Sequence, residues 1–409
     1  MEKTGKSNKT QYTIVFGGTG FIGRIFIYSG LFLQKNIIIV SRKETTRSFL
    51  DALSPTQKKT RNYFKEVINN GQILPILNFD YSNNSEVLNL FKKIDSDYPG
   101  ALNKVGSIVN LSGSTSGNRT EIINSQINVS KNLIFLKKKL ITDYLTSPVL
   151  IHMSSVAARY PFSNPPPYEY AKRMSEIILK SKNGCDYNVL AGFVKGLGEE
   201  KMSKAAPHII KTFASYFNLF SLEVSVVDVE QLAVFLWYLI DCNEEIRRSV
   251  KTDTCLDVFT SNGNLQLGEV IYSLLPKHFQ KKITLPKKKG HLFDLWEKII
   301  LRIGGLYLEL FYPHNQEKRR IASFKKLAAL QNKKDFVQKY NNLVFFGKPN
   351  KEEKLIRVKL STRGKEMFRK FDLAYPKQLF SKEKNLLYLI KKTKKKEIVS
   401  FISKSINAS

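Results

Sequence analysis

The stretch "YTIVFGGTGFIGRIFIYSGLF" (12–32) sets an apolar, β-branched run against an apolar helical pattern, with Gly17, Gly18, Gly20 and Gly23 between them. Tyr12 to Phe16 reads as a short central parallel strand, and the residues from Phe21 onward have helical spacing. Two elements that both want burial, joined by Gly17-x-x-Gly20-x-x-Gly23, demand a tight strand-to-helix turn. Such a turn aims backbone N–H groups at the start of the helix, where the dipole favours a phosphate. Glycine there tolerates unusual dihedrals and lets a pyrophosphate approach, and the third glycine seats the helix on the sheet. This predicts dinucleotide binding by Gly17, Gly18, Thr19, Gly20, Phe21, Ile22 and Gly23. The competing reading is a glycine turn in an α/β protein that binds nothing.

A second apolar strand, "NIIIV" (36–40), ends in Ser41-Arg42-Lys43. This lies about 20 residues beyond the motif, where a dinucleotide fold reads the adenosine ribose. An acidic residue there favours NAD. Arg42 with Lys43 can instead meet a 2′-phosphate, so NADP is expected, with NAD as the alternative. Further strands are predicted near 72–79, 106–113 and 148–155, with helices around 84–94 and 119–140. The region 44–70 reads as helical, interrupted at Pro55. Alternating β and α units predict a parallel, doubly wound sheet. Asp80, after the third strand, can contact the adenine or cap the next helix. Asn110 to Gly113 would border the nicotinamide side.

The strand "VLIHMSS" ends with Ser154 and Ser155, and "YEYAK" follows with Tyr168 and Lys172 four residues apart. On a helix that spacing puts both on one face. A phenol with a pKa of about 10 is a poor base at neutral pH, and a nearby ammonium lowers that pKa. A serine hydroxyl from the strand end can bind and orient a substrate oxygen. Ser155, Tyr168 and Lys172 are therefore the candidate catalytic residues, with Ser154 as the alternative serine. Tyr170 is the rival tyrosine, but it would face elsewhere.

Together these stretches resemble the extended short-chain dehydrogenase/reductase family, the NAD-dependent epimerase/dehydratase group. The resemblance rests on "GGTGFIG" (17–23), "INVSKNLIFL" (127–136), "SSVAA" (154–158), "YEYAK" (168–172), "VSVVDVEQLA" (224–233) and "LQLGEVIYSLLP" (265–276). It covers roughly residues 10–280. It implies a Rossmann domain over 1–285 with a small substrate lobe at about 190–225 and 255–285, a sugar-like, often nucleotide-linked substrate, and a homodimer. It also implies the roles given above for Ser155, Tyr168 and Lys172, with the last two also touching the cofactor. Val156 and Ala157 stand where the family's dehydratases carry an acidic pair, which argues against dehydration. Ala191-Gly192 replaces the usual arginine-proline, and "RYP" (159–161) is an altered form of the family's tyrosine-glycine. With NADP expected, a ketone reductase leads over an epimerase.

Composition bears on the rest of the chain. Of 409 residues, 42% are apolar, enough for more than one lobe. The polar residues before Tyr12 do not read as a signal peptide, and no apolar run is long enough to span a membrane. A cytoplasmic protein is expected, with membrane association as an alternative. Cys185, Cys242 and Cys255 have neither metal nor redox spacing, and the five histidines are scattered, so no metal is expected. The net charge is +31, and residues 281–409 hold 33 Lys/Arg against 11 Asp/Glu. So basic a last third (286–409, read as mostly helical) suggests an acidic partner, either nucleic acid or an anionic membrane surface, though a solvated lysine-rich surface explains it as well. Residues 284–313 read as an amphipathic helix with Asp294, Glu297, Lys298, Arg302 and Glu309 on one side. Packing on the body is expected over a membrane interface, because that polar side is not basic. Residues 342–371 read as strand, charged turn, strand and helix, weakly similar to the wing of a winged-helix domain. The alternative for the whole chain is a non-catalytic nucleotide-binding protein anchored by its basic third.

Overall fold

In a computed structural model, the described residues are 11–53, 58–113, 118–159, 165–181, 183–196, 216–250, 253–260, 263–273, 275, 290–312, 315–329, 345–347 and 355–357. The first half alternates strands with helices, two of them between β2 and β3: β1 (Tyr12–Phe16), α1 (Phe21–Phe32), β2 (Asn36–Val40), α2 (Thr46–Leu53), α3 (Lys58–Asn69), β3 (Ile73–Ile76), α4 (Val87–Asp97), β4 (Val105–Asn110), α5 (Arg119–Asp143), β5 (Val149–Ser155), α6 (Pro167–Ser181) and β6 (Tyr187–Ala191). With β9 (Leu256–Thr260), these strands form a parallel sheet in the order β3-β2-β1-β4-β5-β6-β9. The strands are short and buried on both faces because helices cover both sides, which is why they are continuous rather than alternating apolar runs. The order reverses between β1 and β4. Ligands of such sheets bind in the crevice at the carboxyl ends of the strands at that point.

One face of the sheet carries α1 and α8 (Val229–Asp241), and its core includes Val15, Ile39, Ile151 and Trp237. Trp237 is fully buried and stacks on Phe26 with ring centroids 4.3 Å apart, and its indole N–H donates to the Phe26 carbonyl at 3.0 Å. The two helices approach so closely because Gly30 faces the indole, where a Cβ would come within 2.5 Å of Cζ2. The opposite face is covered by α4 and α5, whose apolar residues pack on Ile14, Ile38, Ile108 and Leu150.

A second sheet of three strands has the order β10 (Gly263–Gln266), β8 (Glu223–Asp228), β7 (Phe193–Lys195). It shares a small core with α7 (Phe217–Phe220) and α10 (Leu267–Ser273), completed by Leu301 of α11 (His291–Phe311). The helix expected over 284–313 thus packs on the body, but with the opposite face inward from the apolar one. Asp294 and Glu297 are buried, and Glu297 accepts the backbone N–H of Asn218 at 2.5 Å. A carboxylate at the start of α7 meets unsatisfied amides there, and that draws the polar side in. The next helix, α12 (Gln316–Ala329), packs on α11, with an ion pair between Lys326 and Glu309.

The strands expected in 342–371 appear as β11 (Phe345–Gly347) and β12 (Leu355–Arg357), paired antiparallel. They do not stand apart as a wing: β11 adds to the edge of the main sheet, antiparallel to β9. The helix expected after them lies outside the described residues. Cys185 and Cys255, far apart in sequence, bring their sulfurs within 3.0 Å of each other. Among the described residues no helix is long and apolar enough to cross a membrane, and no His, Cys, Asp and Glu side chains cluster to hold a metal.

Candidate active site

A cleft of about 1000 Å³ follows the carboxyl ends of the parallel strands. Gly17, Thr19, Gly20, Phe21 and Ile22 line one end. Gly17 has φ +77°, and a Cβ there would come within 2.7 Å of the Ser112 amide nitrogen after β4. Gly20 donates its N–H to the Gly17 carbonyl at 3.0 Å and begins α1, and no side chain caps that helix. The first amides of α1 therefore face the cleft, and the tight turn is what brings them there. Gly18 and Gly23 lie behind the lining. A Cβ on Gly23 would sit 2.2 Å from the Gly17 carbonyl oxygen, so the third glycine serves the close seating of helix on turn.

Arg42, exposed at the end of β2, and Asp80, after β3, line the same wall. Asp80 Oδ1 accepts the Ser82 N–H at 3.0 Å and its hydroxyl at 2.7 Å, an Asx turn, while Asn83 caps the short helix that follows. The cap alternative for Asp80 is thus taken by Asn83.

At the other end stand Ser155, Tyr168 and Lys172. Pro167 opens α6, where its missing N–H costs nothing, so Tyr168 and Lys172 share one face as their spacing predicts. Lys172 is buried, and its Nζ donates to the Met153 carbonyl at 2.8 Å and the Ser112 carbonyl at 3.3 Å. It lies 5.8 Å from the centre of the Tyr168 ring. Burial lowers its pKa from 10.5 to about 8, against the opposing pull of Glu176. The ammonium still carries its charge at neutral pH. Tyr170 is not among the lining residues; its ring lies 5.9 Å from the Arg119 guanidinium.

Two features of the site were not legible in the sequence. The first is His152 in the middle of β5. Its Nδ1 accepts from the Asn110 amide at 3.1 Å, which leaves the proton on Nε2, a buried nitrogen without a partner among the described residues. Burial, then the charges of Lys172 and Lys180, hold its pKa well below the ordinary value, so the ring is neutral. A histidine inside "VLIHMSS" was the only signal. The second is an ion cluster behind the strand end. Arg159 meets Glu176 at 2.7 Å and Asp257 at 3.0 Å, and Lys180 meets Asp257 at 2.6 Å. Ser154 donates to Glu176 from the strand side. Desolvation raises the Glu176 pKa, and Arg159, Ser154 and Lys180 oppose that rise.

No family model and no curated protein matches the chain. Among solved structures it is similar to the Bordetella bronchiseptica enzyme WbmG in complex with NAD, at 12% identity over 70% of this chain and 84% of that one (TM-score 0.45). It is similar to a putative epimerase from Burkholderia cenocepacia at 13% identity over 70% and 86% (TM-score 0.46). A short chain dehydrogenase from Bacillus anthracis matches at 16% identity over 64% and 97% (TM-score 0.42). At such identities a likeness is one of fold alone. The strand order and the glycine turn stand on their own: the chain has a doubly wound parallel α/β sheet of the Rossmann kind, with a glycine turn between its first strand and first helix.

Proposed function

We propose that this chain is a nicotinamide-dinucleotide-dependent oxidoreductase or epimerase that transfers a hydride at a carbonyl or hydroxyl carbon of a sugar-like substrate. The observation that carries this reading is the buried Lys172 ammonium beside Tyr168, at one end of a cleft whose other end is the glycine turn. The turn fits a pyrophosphate: a Cβ at Gly17 would meet backbone, and among the described residues no side chain hydrogen-bonds to the helix start. The dinucleotide would be held there by the α1 amides, with Asp80 and Arg42 toward the adenosine and Lys172 and Tyr168 toward the nicotinamide end. When bound, it supplies the hydride acceptor or donor.

The chain's own residues handle the proton. Tyr168 gives its phenolic proton to the substrate oxygen in reduction and takes it back in oxidation. The Lys172 charge stabilises the phenolate that results. Ser155 donates a hydrogen bond to the same substrate oxygen and orients it. Arg42 supports NADP as the preferred dinucleotide, and with it a net reductase rather than an epimerase. We read residues 1–285 as the catalytic body, its second sheet as the substrate lobe, and 286–409 as a basic accessory region.

Tyr168→Phe tests this. NADPH-linked turnover of sugar-like ketones should fall by about 10²–10⁴-fold with cofactor affinity nearly unchanged. Tyr170→Phe should keep its activity. Retained turnover in Tyr168→Phe would remove that residue from the mechanism.

A further inference from the structure

Helix α11 turns its apolar side to solvent. Leu292, Leu295, Trp296, Ile299, Ile303 and Leu310 recur at helical spacing and are 86%, 57%, 59%, 49%, 61% and 71% exposed. Monomeric proteins rarely leave a contiguous apolar patch of such extent uncovered. The stripe runs the length of a 21-residue helix, about 30 Å.

The charges on this helix are sorted by sign. Its acidic residues are withdrawn: Asp294 and Glu297 are buried against α7, and Glu309 is paired with Lys326. Its cations remain outward, Arg302 exposed and Lys298 half-buried. Lys287, Lys288 and Lys289 stand just before the Gly290 that begins the helix in sequence, and the chain as a whole carries +31. An apolar stripe with an aromatic anchor at Trp296, and with cations as its accessible charges, complements a surface that is apolar inside and anionic outside. We propose that α11 docks this chain on an anionic lipid bilayer, lying in the interface with the stripe among the acyl chains. Among the described residues no helix can span the bilayer, so the attachment is peripheral. The inference does not depend on the proposed chemistry of the cleft.

Trp296 makes a built-in reporter. The other tryptophan in the sequence, Trp237, is only 1% exposed, so a change in emission on docking comes from Trp296. The full chain would be titrated with vesicles of equimolar phosphatidylserine and phosphatidylcholine, and with pure phosphatidylcholine, following Trp296 emission and co-sedimentation. The expected result is a blue shift and sedimentation with the anionic vesicles, weakened by added salt and much weaker on the neutral ones. Ile303→Asn and Ile299→Asn, both on the exposed side, should each reduce partitioning roughly tenfold or more while leaving the circular dichroism melt unchanged. If either variant unfolds, Leu292→Gln, on the most exposed side chain of the stripe, takes its place. Arg302→Glu should remove the preference for anionic vesicles. Three outcomes would overturn the proposal. One is no shift and no sedimentation with either vesicle. A second is binding indifferent to the stripe substitutions. The third is lipid-free self-association abolished by the same substitutions, which would make a second copy of the chain the occupant.

Discussion

Ser154 donates its hydroxyl proton to the Glu176 carboxylate, and this bond separates the two serines that end β5. Neighbouring strand residues point to opposite faces. Both serines line the cleft, but Ser154 is tied into the ion cluster with Arg159 and Asp257, while the Ser155 hydroxyl, among the described residues, accepts only the nearby Ala157 N–H, at 3.2 Å. Ser154→Ala should cost about 1.5–3 kcal/mol of stability, the worth of a hydrogen bond to a charged group, and leave kcat nearly intact. Ser155→Ala should leave the melt unchanged and lower kcat by about 10²–10³-fold. Thermal melts and initial rates on both variants check this, and the reverse pattern would exchange the two assignments.

Gly17 and Gly71 form a matched pair. Both have left-handed backbones, with φ +77° and +74°. An alanine at Gly71 would meet nothing within 4 Å, whereas at Gly17 its Cβ would come within 2.7 Å of the Ser112 nitrogen. Each substitution carries about 1–2 kcal/mol of backbone strain. Only Gly17→Ala should add a clash, so it should be the less stable of the two and should lose NADPH binding by fluorescence titration. Equal melts with equal binding would mean that the turn needs no close approach.

Arg42 is exposed at the cleft wall. If it pairs with a 2′-phosphate, Arg42→Ala should raise the Kd for NADPH roughly ten- to hundredfold and leave that for NADH unchanged. Calorimetric titration with the two dinucleotides measures this directly. Parallel losses for both would assign Arg42 to something other than the 2′ position.

Lys172 should carry a stability cost at neutral pH. Burial moves its pKa from 10.5 down to about 8. Between those values the unfolded chain keeps a proton that the folded chain has released, so stability rises with pH across the window. Below it, the buried charge costs on the order of 3 kcal/mol relative to a neutral side chain. Lys172→Met also removes the bonds to Met153 and Ser112, which offsets part of that gain. The variant should be inactive, yet gain in urea stability relative to wild type at pH 7, with the difference falling by pH 10. A difference independent of pH would show that the ammonium is not strained by burial.

Much of the fold was legible because its signals are local. The runs at 12–16 and 36–40 are strands to the residue. The interruption expected at Pro55 lies outside the described residues. The proline run before Tyr168 opens α6. The C-terminal helix was legible as a helix but not in its orientation. Its apolar stripe predicts burial, whereas the side that packs inward carries Asp294, Leu301 and Glu297, the last accepting the Asn218 N–H at α7. Likewise the strands near 345 and 355 were legible as strands, but not the docking of β11 on β9.

By itself, then, the sequence determined the alternation of strands and helices, the glycine turn, and the pairing of Tyr168 with Lys172 on one helix face. Each is written in periodicity or backbone stereochemistry over a few residues. Only the tertiary structure decided which serine bonds to Glu176, how Asn110 sets the His152 tautomer, how Arg159, Glu176, Lys180 and Asp257 find one another, and which way α11 faces. Those depend on which distant groups meet in a dry interior, where an unpaired charge or amide is costly enough to override the local pattern.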